Sequence, residues 1–155
     1  MEDIKRILVV SRITKCCHKA IHYGISLSKK YGAELSVLHM IDTFWLKGWN
    51  VPMISVEEEY KKELKKTKEE LDNIINTENI KGMVIKELFK EGDPTEEILK
   101  VIKEENIDLV ILVAHEESRF EHFLFASSNA EIIRKIPCSI LLVKGNLNDC
   151  QSAQA

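Results

Sequence analysis

Glycine is scarce in this chain, with six in 155 residues. None lies in "AHEESRFEHFLFAS", the stretch Ala114 to Ser127 that follows the apolar run Leu109 to Val113. In α/β proteins a loop between a strand and a helix commonly holds phosphates, and glycine lets its backbone N–H groups close around them. Here that place carries three glutamates instead. No Gly-x-Ser-x-Gly elbow, P-loop or dinucleotide fingerprint occurs, so the usual hydrolase, NTPase and dehydrogenase readings lose their motifs. Basic excess is also lacking. The formal charge of -3 gives no footprint for nucleic acid. No apolar run approaches the ~20 residues that span a bilayer. The start "MEDIKRILVV" has acids before its apolar stretch and no small-residue cleavage site, so a secretory signal is not expected and a cytoplasmic protein is. The four cysteines, Cys16, Cys17, Cys138 and Cys150, form no Cys-x-x-Cys pair, and no histidine cluster has zinc-finger spacing.

What is present is a soluble globular composition, 45% hydrophobic and 30% charged, at a length that suits one domain. Ile7–Ser11, Leu35–Met40, Leu109–Val113 and Ile140–Val143 read as continuously apolar strands covered on both faces. Met83–Phe89, within "GMVIKELFKEG", alternates, which suggests a strand nearer an edge. Between them lie helical patterns. Cys17, Ala20, Ile21, Gly24, Ile25 and Ser28 make one stripe, ended by Gly32. Val56, Tyr60, Leu64, Thr67, Leu71, Ile74 and Ile75 mark a long amphipathic helix, and the mixed charges from Glu57 to Glu70 read as its solvated face. Asp93 caps a third helix with Pro94 in its first turn and Ile98, Leu99, Val101 and Ile102 as its apolar positions. Ser127 or Ser128 caps a fourth, expected to bury Ile132, Ile133 and Ile136 before Pro137 stops it.

The alternation predicts an open, doubly wound, mostly parallel five-stranded α/β sheet with helices on both faces. It forms one domain over residues 1–145, with a flexible tail at 146–155. Ligands in such folds bind beyond the carboxyl ends of the strands at a topological switch point. The connection "IDTFWLKGWNVPMIS" is unusually apolar, through Phe44, Trp45, Leu46, Trp49 and Met53. It reads either as a lid, partner surface or self-association patch, or as a segment folded back over the sheet.

"KRILVV", "KAIHYGISLSKKYGAELSVLHMID", "KEGDPTEEILKVIKEENIDLVIL" and "SSNAEIIRKIPCSILLV" together resemble the universal stress protein family over nearly the whole chain. The resemblance implies a Rossmann-like domain of the adenine nucleotide alpha hydrolase type and a homodimer. The dimer would pair the last strand across a two-fold axis through Ser139, Ile140, Leu141, Leu142 and Val143. An apolar edge strand is an aggregation hazard unless something pairs with it, and isologous pairing is the simple closed solution.

ATP-binding members of the family look like Gly-x-x-Gly-x9-Gly-[Ser/Thr] after the fourth strand, with an Asp ending the first. On this sequence the glycine positions fall on Val113, Glu116 and Ala126, the hydroxyl position on Ser127, and the Asp position on Arg12. Only Ser127 fits. Glu116 would set a carboxylate against a polyphosphate, where two like charges ~4 Å apart repel by about 1 kcal/mol in water and several times more when desolvated. Val113 and Ala126 add Cβ atoms where backbone must approach the ligand. The resemblance therefore marks Ser11, Arg12, Met40, Val113, His115, Glu116, Ala126, Ser127 and Ser128 as positions of a degenerate nucleotide pocket. It points to the branch of the family without the glycine motif.

Other chemistry is weaker. His115, Glu116 and Glu117 can hold a metal or act as a base, but a solvated loop is the simpler reading. His39 and His115 end strands on one rim and can share a site. His18 and His22 have the i, i+4 spacing of metal ligands but lack a third. Cys16-Cys17 fits a redox or soft-metal site less well than small residues near a helix start, and Cys138 reads as a buried, unreactive thiol. A phosphoacceptor receiver needs acids at the end of its first strand, and "VVSRIT" has none. The expectation is a homodimeric stress-response protein that acts by binding an unknown protein or small-molecule partner, with no cofactor, catalytic residue or metal site. The alternative is an ATP or AMP sensor or weak ATPase, with or without magnesium, in which Arg12, Ser127 and Ser128 hold the phosphates. An anion or metabolite sensor on the same rim is a third reading.

Overall fold

The computed structural model describes residues 3–12, 18–41, 82–115 and 127–145, together with scattered helical positions between 58 and 77. Strand β1 (Arg6–Arg12) leads to helix α1 (His18–Tyr31) and β2 (Glu34–Ile41). Then come β3 (Ile85–Glu91), α2 (Pro94–Glu104), β4 (Leu109–His115), α3 (Ser127–Lys135) and β5 (Ser139–Gly145). The strands form one sheet in the order β3-β2-β1-β4-β5, and every pairing is parallel.

Continuous apolar runs make the central strands because both faces are covered. In β1, Ile7, Leu8 and Val9 are fully buried, and successive side chains go to opposite sides. Ile7 and Val9 join Ala20, Ile21 and Ile25 of α1 in one core. Leu8 and Val10 join Ile98, Val101 and Ile102 of α2 and Ile132 of α3 in the other. Helices therefore lie on both faces, as the sequence predicts. β3 is an edge strand, which accounts for its alternation. It begins at Ile85 rather than Met83, because its partner β2 begins at Glu34 and the ladder opens with Leu35 opposite Ile85.

Local chemistry ends the helices. Gly32 takes φ +63°, a conformation that costs glycine little, and the N–H of Ala33 then reaches the carbonyl of Ser28 at 3.0 Å to close α1. At α2 the Asp93 side chain accepts the Glu96 N–H at 2.9 Å, ahead of Pro94. Asp108 fastens the amino rim of the sheet, accepting the backbone N–H groups of Lys5 and Arg6 at 2.9 and 2.8 Å.

Two burial expectations are corrected. Ile133 is 42% exposed, because neighbours on a helix point about 100° apart and Ile132 takes the inward direction. Cys138 is half-buried against the core of α2 and α3 rather than enclosed, since it lies in the turn just before β5. Desolvation still raises its thiol pKa, which keeps it protonated and a poor nucleophile.

Glu58, Lys61, Lys62, Lys65, Lys66, Lys68, Glu69 and Asp72 are helical and exposed, which fits the solvated helix face. The apolar positions of that helix, the connection 42–55, Cys16, Cys17 and the tail 146–155 lie outside the described residues. Among the described residues no helix is long and apolar enough to cross a membrane.

Candidate functional site

The strand order fixes where a ligand can sit. β1 has β2 on one side and β4 on the other, so the chain reverses direction between β1 and β4. In such folds ligands bind beyond the carboxyl ends of the two strands that flank this switch point. Arg12 ends β1 and His115 ends β4, while α3 begins at Ser127. These are the positions the sequence singles out. Glu116, Ala126, and the side chains of Arg12, His115, Ser127 and Ser128 lie outside the described residues.

The described side chains divide between the two faces. Met40 is buried in the core shared with α2 and α3. Val113 is buried in the core under α1, beside Val143 of β5. Ser11 is buried too and, two residues beyond Val9, lies on the α1 side. Of the expected pocket positions, Met40 alone has a described side chain on the α2–α3 side.

The row through Ser11 carries the feature that sequence reasoning missed. The ladder sets Ser11 opposite His39, and His39 opposite Phe89. In a parallel sheet such partners share a face. His39 is 0% exposed, and neither Nδ1 nor Nε2 has a hydrogen-bond partner. Its ring stacks on Phe89 with centroids 4.8 Å apart and planes 22° from parallel. Desolvation lowers its pKa to about 4 from the usual 6.5, so the ring is neutral at pH 7. His39 is thus a core residue and not a rim-facing ligand, which corrects the expected sharing of a site with His115. The available signal was the strand register, which aligns two residues equally far from their strand ends. His22 is exposed on α1 and His18 half-buried. Among the described residues no three His, Cys, Asp or Glu side chains converge as a metal site.

The sequence pattern of the universal stress protein family matches residues 3–144. A universal stress protein of Methanocaldococcus jannaschii is 25% identical over 153 residues, covering 90% of this chain and 94% of the relative. The solved universal stress protein UspA of Lactobacillus plantarum superimposes with TM-score 0.72 at 17% identity, over 92% of this chain and 99% of its own. An Archaeoglobus fulgidus universal stress protein, solved in complex with dAMP, superimposes with TM-score 0.56 at 14% identity, over 93% of this chain and 100% of its own. Matched from its first strand to its last, the chain belongs to the universal stress protein family.

Proposed function

We propose that this chain is a homodimeric stress-response protein that acts by binding rather than by catalysis, with a degenerate nucleotide pocket at the switch point. Val113 carries the reading. It ends the buried run of β4 where ATP-binding relatives are expected to hold their first glycine, and its branched side chain is packed into the core under α1. The strand cannot yield that volume to a phosphate without opening a cavity. Glu116 and Ala126 add a carboxylate and a Cβ at the next two glycine positions. The formal charge of -3 supports a partner other than nucleic acid, and the reading places the protein in the cytoplasm.

The two margins of the sheet support the dimer. β3 carries Lys86, Glu87, Lys90 and Glu91, charges that discourage strand addition. Among the described residues β5 has only β4 beside it, and it leaves Leu142 49% exposed. Two-fold pairing through Ser139–Val143 would cover that strand.

The test is calorimetric titration of nucleotide-stripped protein with ATP and AMP, with and without magnesium. No heat is expected up to about 1 mM ligand, the range where binding free energy is only about 4 kcal/mol. Micromolar binding would overturn the degenerate pocket.

The fold shared with the Archaeoglobus fulgidus dAMP complex favours one other reading, an adenine-nucleotide sensor. Arg12 then replaces the lost backbone donors, aided by Ser127 and Ser128 at the start of α3. Arg12→Ala would abolish affinity under that reading, and an unchanged affinity would end it.

A further inference from the structure

We propose that His39 is an acid-sensitive latch: proton uptake by its enclosed ring breaks the stack on Phe89 and releases the carboxyl end of β3 from β2. The inference rests on geometry apart from the nucleotide pocket. The ring is fully buried with both nitrogens unpartnered. A neutral imidazole so placed already forgoes the hydrogen bonds it would make in water. An imidazolium there would also bury an uncompensated charge.

Among the described residues no charge offsets the burial of the ring. On β1 the register neighbour is the uncharged Ser11, and on β3 it is Phe89. Glu87 and Glu91 lie on the same face of β3 by alternation, with Lys68 and Asp72 of the 58–77 helix close enough to Glu87 to act on its charge. His18 and His22 lie on the first two turns of α1, on the same side of the sheet. None of these groups offsets the loss of hydration, and desolvation is what lowers the His39 pKa to about 4.

Position makes the consequence local. Phe89 is on an edge strand and is already 41% exposed, so it can leave the stack without disturbing β1 or β4. The closed state excludes a proton that the open state accepts. Its advantage is complete above the ordinary value of 6.5 and is lost as pH falls through about 4. Histidine is the side chain suited to such a response in mild acid.

Amide hydrogen exchange, corrected for intrinsic rates, tests the latch between pH 7 and pH 5. Protection at those amides among Leu88, Phe89 and Lys90 whose N–H points toward β2 is expected to drop roughly 20- to 30-fold in the wild type, from the two pKa values and linkage. Amides of Val110 to Leu112 in β4 should stay constant. In His39→Phe, which keeps an aromatic stack, and in His39→Gln, the drop at β3 should vanish. An equal drop in both variants, or a parallel drop in β4, would overturn the latch. Ring titration of wild-type His39 by NMR decides the matter even if neither variant folds. A value near 6.5 overturns the latch and a value near 4 supports it.

Discussion

Gly24 of α1 lies so close to Val9 of β1 that a Cβ built on Gly24 would stand 2.6 Å from Val9 Cγ2. The helix sits low on the sheet because that position has no side chain. Leu35 Cδ1, at 3.1 Å, closes the other escape route. Gly24→Ala should therefore lower stability, by up to about 2 kcal/mol. The overpacking cost of roughly 1–3 kcal/mol exceeds the gain of ~1 kcal/mol from better helix propensity, since Val9 is fully buried and has nowhere to move. Urea denaturation would show it as a lower midpoint with an unchanged slope.

At the opposite rim, Asp108→Ala orphans the N–H groups of Lys5 and Arg6 and should cost about 1 kcal/mol. Asp108→Asn keeps a carbonyl oxygen that can still accept, so its loss should be smaller. Faster amide exchange at Lys5 and Arg6 in the alanine variant alone would check the assignment.

Glu87 makes a pH prediction opposite in sign to that of His39. Desolvation raises its pKa, with Lys68 acting against the shift and Asp72 adding to it. The folded state therefore holds this proton more tightly than the unfolded chain does. The resulting penalty is full above the raised value and fades as pH falls through it and then through the ordinary value. Glu87→Gln should raise the thermal midpoint at pH 7, and the difference should shrink toward pH 4.

Leu142 tests the pairing of the apolar margin. Leu142→Lys places a charge beside the two-fold axis of the proposed dimer while remaining tolerable in a monomer, since the side chain is half exposed. The dimer dissociation constant should rise by at least tenfold, about 1.4 kcal/mol, as read by sedimentation velocity over a dilution series. An unchanged dimer would mean that subunits meet elsewhere.

The fold was legible because its signals are local. Runs such as Ile7 to Val10 announce two-sided burial, Gly32 and the Asp93–Pro94 pair mark helix ends, and alternation in β3 announces an edge. What escaped depends on three-dimensional register. Periodicity could not tell that Ile132 goes inward while Ile133 turns out, nor that Cys138 is only half covered. It could not tell that His39, apparently a rim residue, is closed between neighbouring strands. Of the candidate site, the order of elements gave the switch point between β1 and β4. The division of Met40 from Ser11 and Val113 across the sheet follows from strand pleat and pairing, which appear only once the strands are aligned.

The unlike margins of the sheet also limit how large an assembly can grow. A ribbon lengthens without end only if each added unit exposes a fresh sticky border. Here a two-fold union would consume the apolar border of both copies and leave a charged β3 at each outer limit. In such a dimer growth would stop at ten strands from two five-stranded sheets, and so apolar a β5 would not seed fibres.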